Sequence, residues 1–169
     1  MSERTVKFIG KAATKREIGE AWVIEWPRSL THYHTYGKLT PYFKGLTEGR
    51  LMATRCINKD CPISKGDGEF WLPPRADCPD CYAPMEWTEL KQPIVGQVYS
   101  YTLVKRGGTG LELKTPYYQI DVMLPGCCTI PKGYLMDADI EPRIGTKVTP
   151  VFRTDNPTFT SLDIAWKAL

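Results

Sequence analysis

The stretch CINKDCPISKGDGEFWLPPRADCPDC, residues 56–81, holds four of the six cysteines in this chain of 169 residues. Cys56 and Cys61 are separated by four residues, Cys78 and Cys81 by two, and sixteen residues lie between the pairs. Two tight turns that face each other across a short hairpin bring four thiolates to about 2.3 Å from one ion, which is tetrahedral zinc geometry. The spacing therefore predicts a closed, structural Zn²⁺ site with no open position for catalysis.

Two other interpretations of the four cysteines remain open at this stage. A rubredoxin-like iron site uses the same ligands. Two disulfides would require an oxidising compartment, which nothing in the sequence indicates. The first twenty residues are too polar for a signal peptide, and no run approaches the ~20 apolar residues of a spanning helix. We therefore expect a cytoplasmic protein, with no membrane partner, whose clustered cysteines bind a metal.

Composition sets further limits. Hydrophobic residues make up 42% of the chain, which is enough to bury a core. Lys and Arg outnumber Asp and Glu by 22 to 19, a net charge of +3. This balance falls well short of the basic character of a dedicated nucleic-acid binder, so charge alone identifies no partner.

Changes in sequence character predict four segments: an N-terminal arm (1–38), a helix (39–50), a zinc ribbon (51–90) and a β-domain (91–169). In the arm, alternation at Trp22, Ile24 and Trp26 predicts a strand, with Val6 and Phe8 as candidates for its partner. The arm either packs on its own domain or clasps another subunit, since aromatic residues are enriched at interface cores.

The segment LTPYFKGLTEGR carries the signals of a short helix. Thr40 is a candidate cap, Pro41 suits the first turn, and Gly49 suits a left-handed stop. The apolar face formed by Tyr42, Phe43 and Leu46 must then dock on another element.

In the ribbon, FWLPPR and MEWTEL are the predicted strands, with Trp71 and Trp87 covering a small core.

The remainder of the chain shows a β pattern. QVYSYTLVKR and PYYQIDVML alternate with a period of two, and turn signals separate further candidate strands at 127–130, 147–153 and 158–166. Five short strands without an ordinary helix predict a small closed or nearly closed barrel. The five-stranded oligonucleotide/oligosaccharide-binding (OB) barrel is the economical candidate, because closure removes exposed edges. The predicted fold class is mainly β: an arm and short helix, a rubredoxin-like zinc ribbon, then the barrel.

No catalytic constellation is evident from the sequence. Cys127 and Cys128 are adjacent, so they point to opposite faces of a strand and are predicted to be ordinary buried thiols. Asp121 and Asp163 are predicted to lie on solvated faces. The loop that begins Lys105, Arg106, Gly107, Gly108 offers two cations and exposed N–H groups, so it is a candidate phosphate or CoA contact, although a long hairpin loop needs the same residues.

Taken in order, PYFKGLTEGRL, the four cysteines, EWTEL, GQVYSYTLV and RIGTKV resemble one known family. Its members place an N-terminal helix and a rubredoxin-like zinc ribbon before an OB-type barrel, and they accompany thiolase-fold enzymes of acyl-CoA metabolism. The resemblance runs from Thr40 to the C-terminus. It departs at the first cysteine pair, where CINKDC replaces the family's usual CxxC.

The resemblance implies a non-catalytic subunit that scaffolds a thiolase-fold partner and helps enclose a jointly held acyl-CoA substrate. Its Zn²⁺ ligands would be Cys56, Cys61, Cys78 and Cys81. The aromatic arm suggests a partner for bulky or aromatic acyl groups, as in aromatic-compound degradation. The alternative is a single-stranded nucleic-acid binder, which the charge disfavours. Its candidate stacking residues are Tyr99, Tyr101, Tyr117 and Tyr118. A third hypothesis is a rubredoxin-like electron carrier.

Overall fold

The computed structural model describes residues 14–25, 31–107, 113–137 and 139–169. The chain divides into two compact units, Met1–His34 and Thr35–Leu169. None of the described helices is long and apolar enough to cross a membrane. The four-segment division at residues 38, 50 and 90 remains a prediction.

The described part of the N-terminal unit is a β-hairpin. Strands β1 (Thr14–Ile18) and β2 (Ala21–Glu25) pair antiparallel, with Gly19 at a φ of +61° in the turn. The Lys15 ammonium lies 4.2 Å from the centroid of the Trp22 ring on the same hairpin. The predicted strand is thus present as β2 with β1 as its partner, whereas Val6, Phe8 and Trp26 lie outside the described residues.

Helix α1 (Thr40–Thr47) follows a single 3₁₀ turn, Gly37–Leu39. The prediction that Thr40 caps the helix is wrong: Thr40 is already helical, and its hydroxyl donates backwards to the Gly37 carbonyl at 2.7 Å. The predicted stop is confirmed, because Gly49 adopts a φ of +73°. Tyr42 and Leu46 enter the main core, where burial raises the pKa of Tyr42 to about 12 and keeps its phenol neutral.

The ribbon is built on strands β3 (Met52–Arg55) and β4 (Glu86–Glu89), which pair antiparallel. The predicted strand at 70–75 is reduced to isolated bridges. Trp71 pairs with Thr54 of β3, and Phe70 pairs with Cys127 of the following domain. Residues 70–72 therefore join the ribbon to the β-domain through main-chain hydrogen bonds on both sides.

The β-domain has five strands: β5 (Gly96–Val104), β6 (Tyr117–Met123), β7 (Lys132–Tyr134), β8 (Lys147–Phe152) and β9 (Ile164–Ala168). They form one sheet in the order β7-β6-β5-β8-β9. Strands that lie next to each other in this sheet are antiparallel. A parallel bridge between Leu135 and Trp166 joins the two ends of the sheet. The mainly β fold class is thereby confirmed, and the closed connectivity is that expected of the predicted barrel.

Two strand predictions are wrong. The third strand is β7 rather than residues 127–130, which form a turn that bonds to Phe70 and Leu72. The last strand begins at Ile164, because a loop and a 3₁₀ turn (Ser161–Asp163) occupy the first part of the predicted range.

One continuous core joins the helix, the ribbon and the barrel. Trp166 is its largest fully buried side chain, and it lies against Gly133 of β7, where a Cβ would come within 2.5 Å of the indole Nε1. Only glycine permits this close approach. The other buried members are Tyr42, Leu46, Leu51, Ala53, Leu72, Ile94, Val98, Ile120, Val122, Leu124, Leu135, Val148 and Ile164.

A buried carboxylate organises the loop that precedes β9. Asp163 is only 1% exposed, so its predicted position on a solvated face is wrong. Its Oδ1 accepts bonds from the N–H and the hydroxyl of Thr158, and its Oδ2 accepts from the Phe159 N–H, at 2.7 to 2.8 Å. These bonds compensate for the loss of water around the carboxylate.

We expect Asp163→Asn to lower the free energy of unfolding by about 1–3 kcal/mol, the cost of one unsatisfied buried polar group. Whichever way the amide turns, one of the two N–H groups that bond Asp163 then faces an NH₂ group. Urea unfolding measures the change, and Asp139→Asn, at an exposed site, is the matched control. Equal stability of the two variants would contradict the structural role given to Asp163.

Candidate metal centre

The four predicted cysteines converge on one point. Their sulfur atoms all lie within 4.8 Å of one another, at 3.7 Å for Cys56 and Cys81 and 4.0 Å for Cys61 and Cys78. Four thiolates bound to a tetrahedral ion at about 2.3 Å are about 3.8 Å apart. Three of the four are fully buried. The donor set and its spacing therefore fit a metal ion.

The first turn of the site begins at Cys61. The Ser64 hydroxyl, and after it the backbone N–H groups of Ser64 and Ile63, point at the Cys61 sulfur and lower the pKa of this thiol. Pro62 separates the cysteine from these donors, and the turn closes with a bond from the Lys65 N–H to the Cys61 carbonyl at 3.2 Å. The turn stabilises a thiolate at Cys61.

The second turn has the same construction. Burial raises the pKa of Cys78, and the N–H groups of Asp80 and Cys81 oppose this shift by pointing at its sulfur. Pro79 follows the cysteine, and the Tyr82 N–H donates to the Cys78 carbonyl at 2.9 Å. Without a metal, Cys78 holds its proton; metal binding would release that proton, because the ligand is the thiolate.

The two turns correspond as Cys61-Pro62-Ile63-Ser64 and Cys78-Pro79-Asp80-Cys81. Ser64 occupies the position that Cys81 fills in the second turn, and its hydroxyl bonds to the Cys61 sulfur. The fourth thiol comes instead from Cys56, immediately after β3. The widened CINKDC spacing is thus explained: it joins a strand end to a turn, and the repeated Cys-Pro pair was the signal in the sequence.

A small set of side chains encloses the cluster. Met85 is buried against the cysteines and Trp71 packs beside them, while the Arg75 guanidinium lies 4.9 Å from the Trp71 ring centroid. Trp87 contacts the main core rather than the cysteines, so its predicted covering role is wrong. This local core is too small to support the ribbon alone.

The candidate phosphate loop is only partly described. Lys105, Arg106 and Gly107 are exposed beyond the end of β5, and Gly108 lies outside the described residues. Among the residues that the structure describes, no hydrogen bond or ion pair joins these three residues to the cysteine cluster. They are therefore separate from the metal centre, and their role remains a prediction.

The remaining predicted thiols and Asp121 are in mixed surroundings. Cys127 is half-buried, but Cys128 is exposed, so the prediction of two buried thiols fails for Cys128. Burial of its sulfur beside the Phe70 carbonyl, to which it donates at 3.1 Å, still raises the pKa of Cys128 to about 11. Asp121 accepts from Ser100 and Lys132, which lower its pKa and keep it ionised.

A four-cysteine ribbon whose sulfur atoms could hold a metal ion, joined to a five-stranded barrel, defines a small, mainly β class of protein. No family model matches the sequence. Over 104 residues it is 32% identical to a DUF35 domain-containing scaffold protein of Methanocaldococcus jannaschii, a match covering 61% of this chain and 67% of that protein. The chain belongs to the DUF35 family.

Solved structures show the same fold. A DUF35-family protein of unknown function from Sulfolobus solfataricus matches with a TM-score of 0.54 at 19% identity, over 79% of this chain and 87% of that chain. A chain of the Ltp2–ChsH2(DUF35) aldolase matches with a TM-score of 0.53 at 24% identity, over 75% and 91%.

The correspondence between the two turns generates a prediction. Cys56→Ser should lose bound metal, and adding Ser64→Cys should restore it, because residue 64 already points at the Cys61 sulfur from the position of a second-turn ligand. Metal content by mass spectrometry and the absorption of the cobalt-substituted protein measure the result. Ile63→Cys in the same background is the control, and equal rescue by both would contradict the proposed equivalence.

Proposed function

We propose that this chain is the non-catalytic, zinc-binding subunit of a thiolase-type acyl-CoA acyltransferase complex. The observation that carries the proposal is its membership of the DUF35 family through a relative described as a scaffold protein. The match in fold to a chain of the Ltp2–ChsH2(DUF35) aldolase supports the proposal, because the name of that enzyme includes a DUF35 component.

The metal in this proposal is Zn²⁺, held by Cys56, Cys61, Cys78 and Cys81. Four thiolates with N–H donors aimed at the sulfurs suit zinc, although iron takes the same ligands. Zinc would supply folding free energy to the ribbon rather than chemistry, since all four positions are filled by protein. A colourless protein with stoichiometric zinc agrees with this assignment, and visible absorption from ferric thiolate contradicts it.

The partner would carry the catalytic groups of the reaction. In this arrangement the present chain scaffolds the partner and encloses part of the CoA substrate. Lys105 and Arg106, with the N–H groups of Gly107 and Gly108, would contact CoA phosphates. An aromatic acyl group would suit the aromatic arm, and the small subunit of a benzoylsuccinyl-CoA-type thiolase is the specific identity we propose.

Two of the candidate stacking tyrosines are poorly placed for nucleic-acid binding. Tyr117 is buried, and the Tyr101 hydroxyl donates to Glu141 at 3.3 Å. A carboxylate beside a stacking ring opposes phosphate binding.

Assembly is tested by native mass measurement of the protein purified from its own cells, with each co-purifying chain identified. We expect a stoichiometric complex with a thiolase-fold subunit. A double variant with Lys105→Ala and Arg106→Ala should still form the complex. The KM of that complex for the CoA substrate should rise severalfold, because two phosphate contacts are lost. An unchanged KM would contradict the proposed contact of Lys105 and Arg106 with CoA. Purification of the chain as a lone monomer would contradict the proposed scaffold function.

Cys78→Ser should lose zinc, unfold the ribbon and release the partner, because structural zinc contributes directly to folding. Zinc content and the mass of the complex measure both effects. Cys127→Ser, which alters a half-buried thiol outside the cluster, is the matched control. A variant without zinc that still assembles fully would show that the ribbon is not the interface.

A further inference from the structure

Phe159 has an unusual backbone conformation for its residue type. Its φ is +58°, in the left-handed region that disfavours a bulky side chain, and Phe159 is 63% exposed. The strain is therefore not offset by burial of the ring. Strained residues of this kind persist only where the surrounding structure fixes them, and they cluster at functional sites.

Two hydrogen bonds fix the Phe159 backbone. Its N–H donates to the buried carboxylate of Asp163 at 2.8 Å, and its carbonyl accepts from the Tyr36 hydroxyl at 2.6 Å. The Tyr36 ring is itself stacked on Phe43 of α1, with centroids 3.6 Å apart. The backbone N–H and carbonyl of Phe159 are thus both held by hydrogen bonds, and the ring remains exposed to solvent.

The surrounding loop has the chemistry of a protein contact. The loop after β8, residues 153–160 (RTDNPTFT), carries one cation, Arg153, and one carboxylate, Asp155, so its net charge is zero. A phosphate or an anionic membrane is bound by clustered cations, so a neutral loop fits neither. An exposed aromatic ring within a rim of hydroxyl and amide groups is typical of an interface anchor. Its complement is an apolar socket with hydrogen-bond donors and a cation at the rim, facing Asp155.

This loop is connected to the metal ribbon. The segment that supplies Tyr36 continues to Lys38, whose ammonium lies 3.3 Å from a carboxylate oxygen of Asp77, the residue before Cys78. Residues 36–38 therefore contact both the Phe159 loop and the ribbon. A partner that binds the ribbon near Asp77 would therefore lie beside the segment that also holds the Phe159 loop.

We propose that Phe159 is an anchor that inserts into an apolar socket of the thiolase-fold partner subunit. The inference rests on the proposed function, because that function supplies the partner. The loop is shaped by Asp163 and Tyr36 to hold the ring outward before the partner binds, so little ordering is required on association.

The test uses the full chain and the co-purifying thiolase-fold subunit, identified and produced separately. Phe159→Asn removes the ring but keeps a residue that tolerates positive φ. We expect unchanged or raised thermal stability and unchanged metal content, with a loss of roughly tenfold or more in affinity for the partner. Phe159→Tyr should retain the affinity. Tyr99→Asn, at an exposed aromatic residue of β5, is the matched control.

The outcomes separate this inference from the proposed function. If wild-type chain binds the thiolase-fold subunit and Phe159→Asn binds equally well, the anchor is wrong and the proposed function stands. If Phe159→Asn lowers stability while Phe159→Tyr preserves it, the ring is structural and the inference is overturned. If wild-type chain binds no such subunit, both fail. Loss of self-association in Phe159→Asn would identify a second copy as the occupant and overturn the proposal.

Discussion

The convergence of four thiols within 4.8 Å is the constraint on which the ribbon depends. Strand β3 shows why. Ala53 faces the main core, Cys56 follows the strand into the thiol cluster, and Thr54 between them is fully buried. The Thr54 hydroxyl accepts from the Arg75 N–H at 3.0 Å and lies 3.9 Å from the Met85 sulfur. The thiol cluster and the barrel core are therefore packed on the same short strand, and a disturbance at one reaches the other.

Much of this arrangement could be predicted from the sequence. The strands predicted from the alternation in β5 and β6 and the left-handed stop at Gly49 are confirmed, and the four cysteines predicted to share a site do cluster. Zinc at that cluster stays a prediction. The third and fifth barrel strands could not be placed, because short strands are set by their neighbours rather than by their own periodicity. The prediction that Thr40 caps the helix failed because an unexpected 3₁₀ turn, Gly37–Leu39, places helical backbone before Thr40.

The candidate site was predicted in its residues but not in its construction. The sequence showed two cysteine pairs, whereas the structure has two Cys-Pro turns and one cysteine from a strand end. Asp163 was also missed, since its hydrogen bonds depend on a loop conformation with left-handed residues at Asn156 and Phe159. Among the described residues, Thr54 and Asp163 are the buried polar residues, and both hold neighbouring main chain.

The close contact between Gly133 and Trp166 has a consequence for the barrel wall. Strands β5 and β6 are joined by seven paired residues, but β7 meets β9 at the single bridge of Leu135 and Trp166. Separating β7 from β9 would break few main-chain hydrogen bonds, and it would expose the buried indole of Trp166. The barrel wall is thus thinly hydrogen-bonded where its two ends meet, and Gly133, a residue without a side chain, lies beside that position.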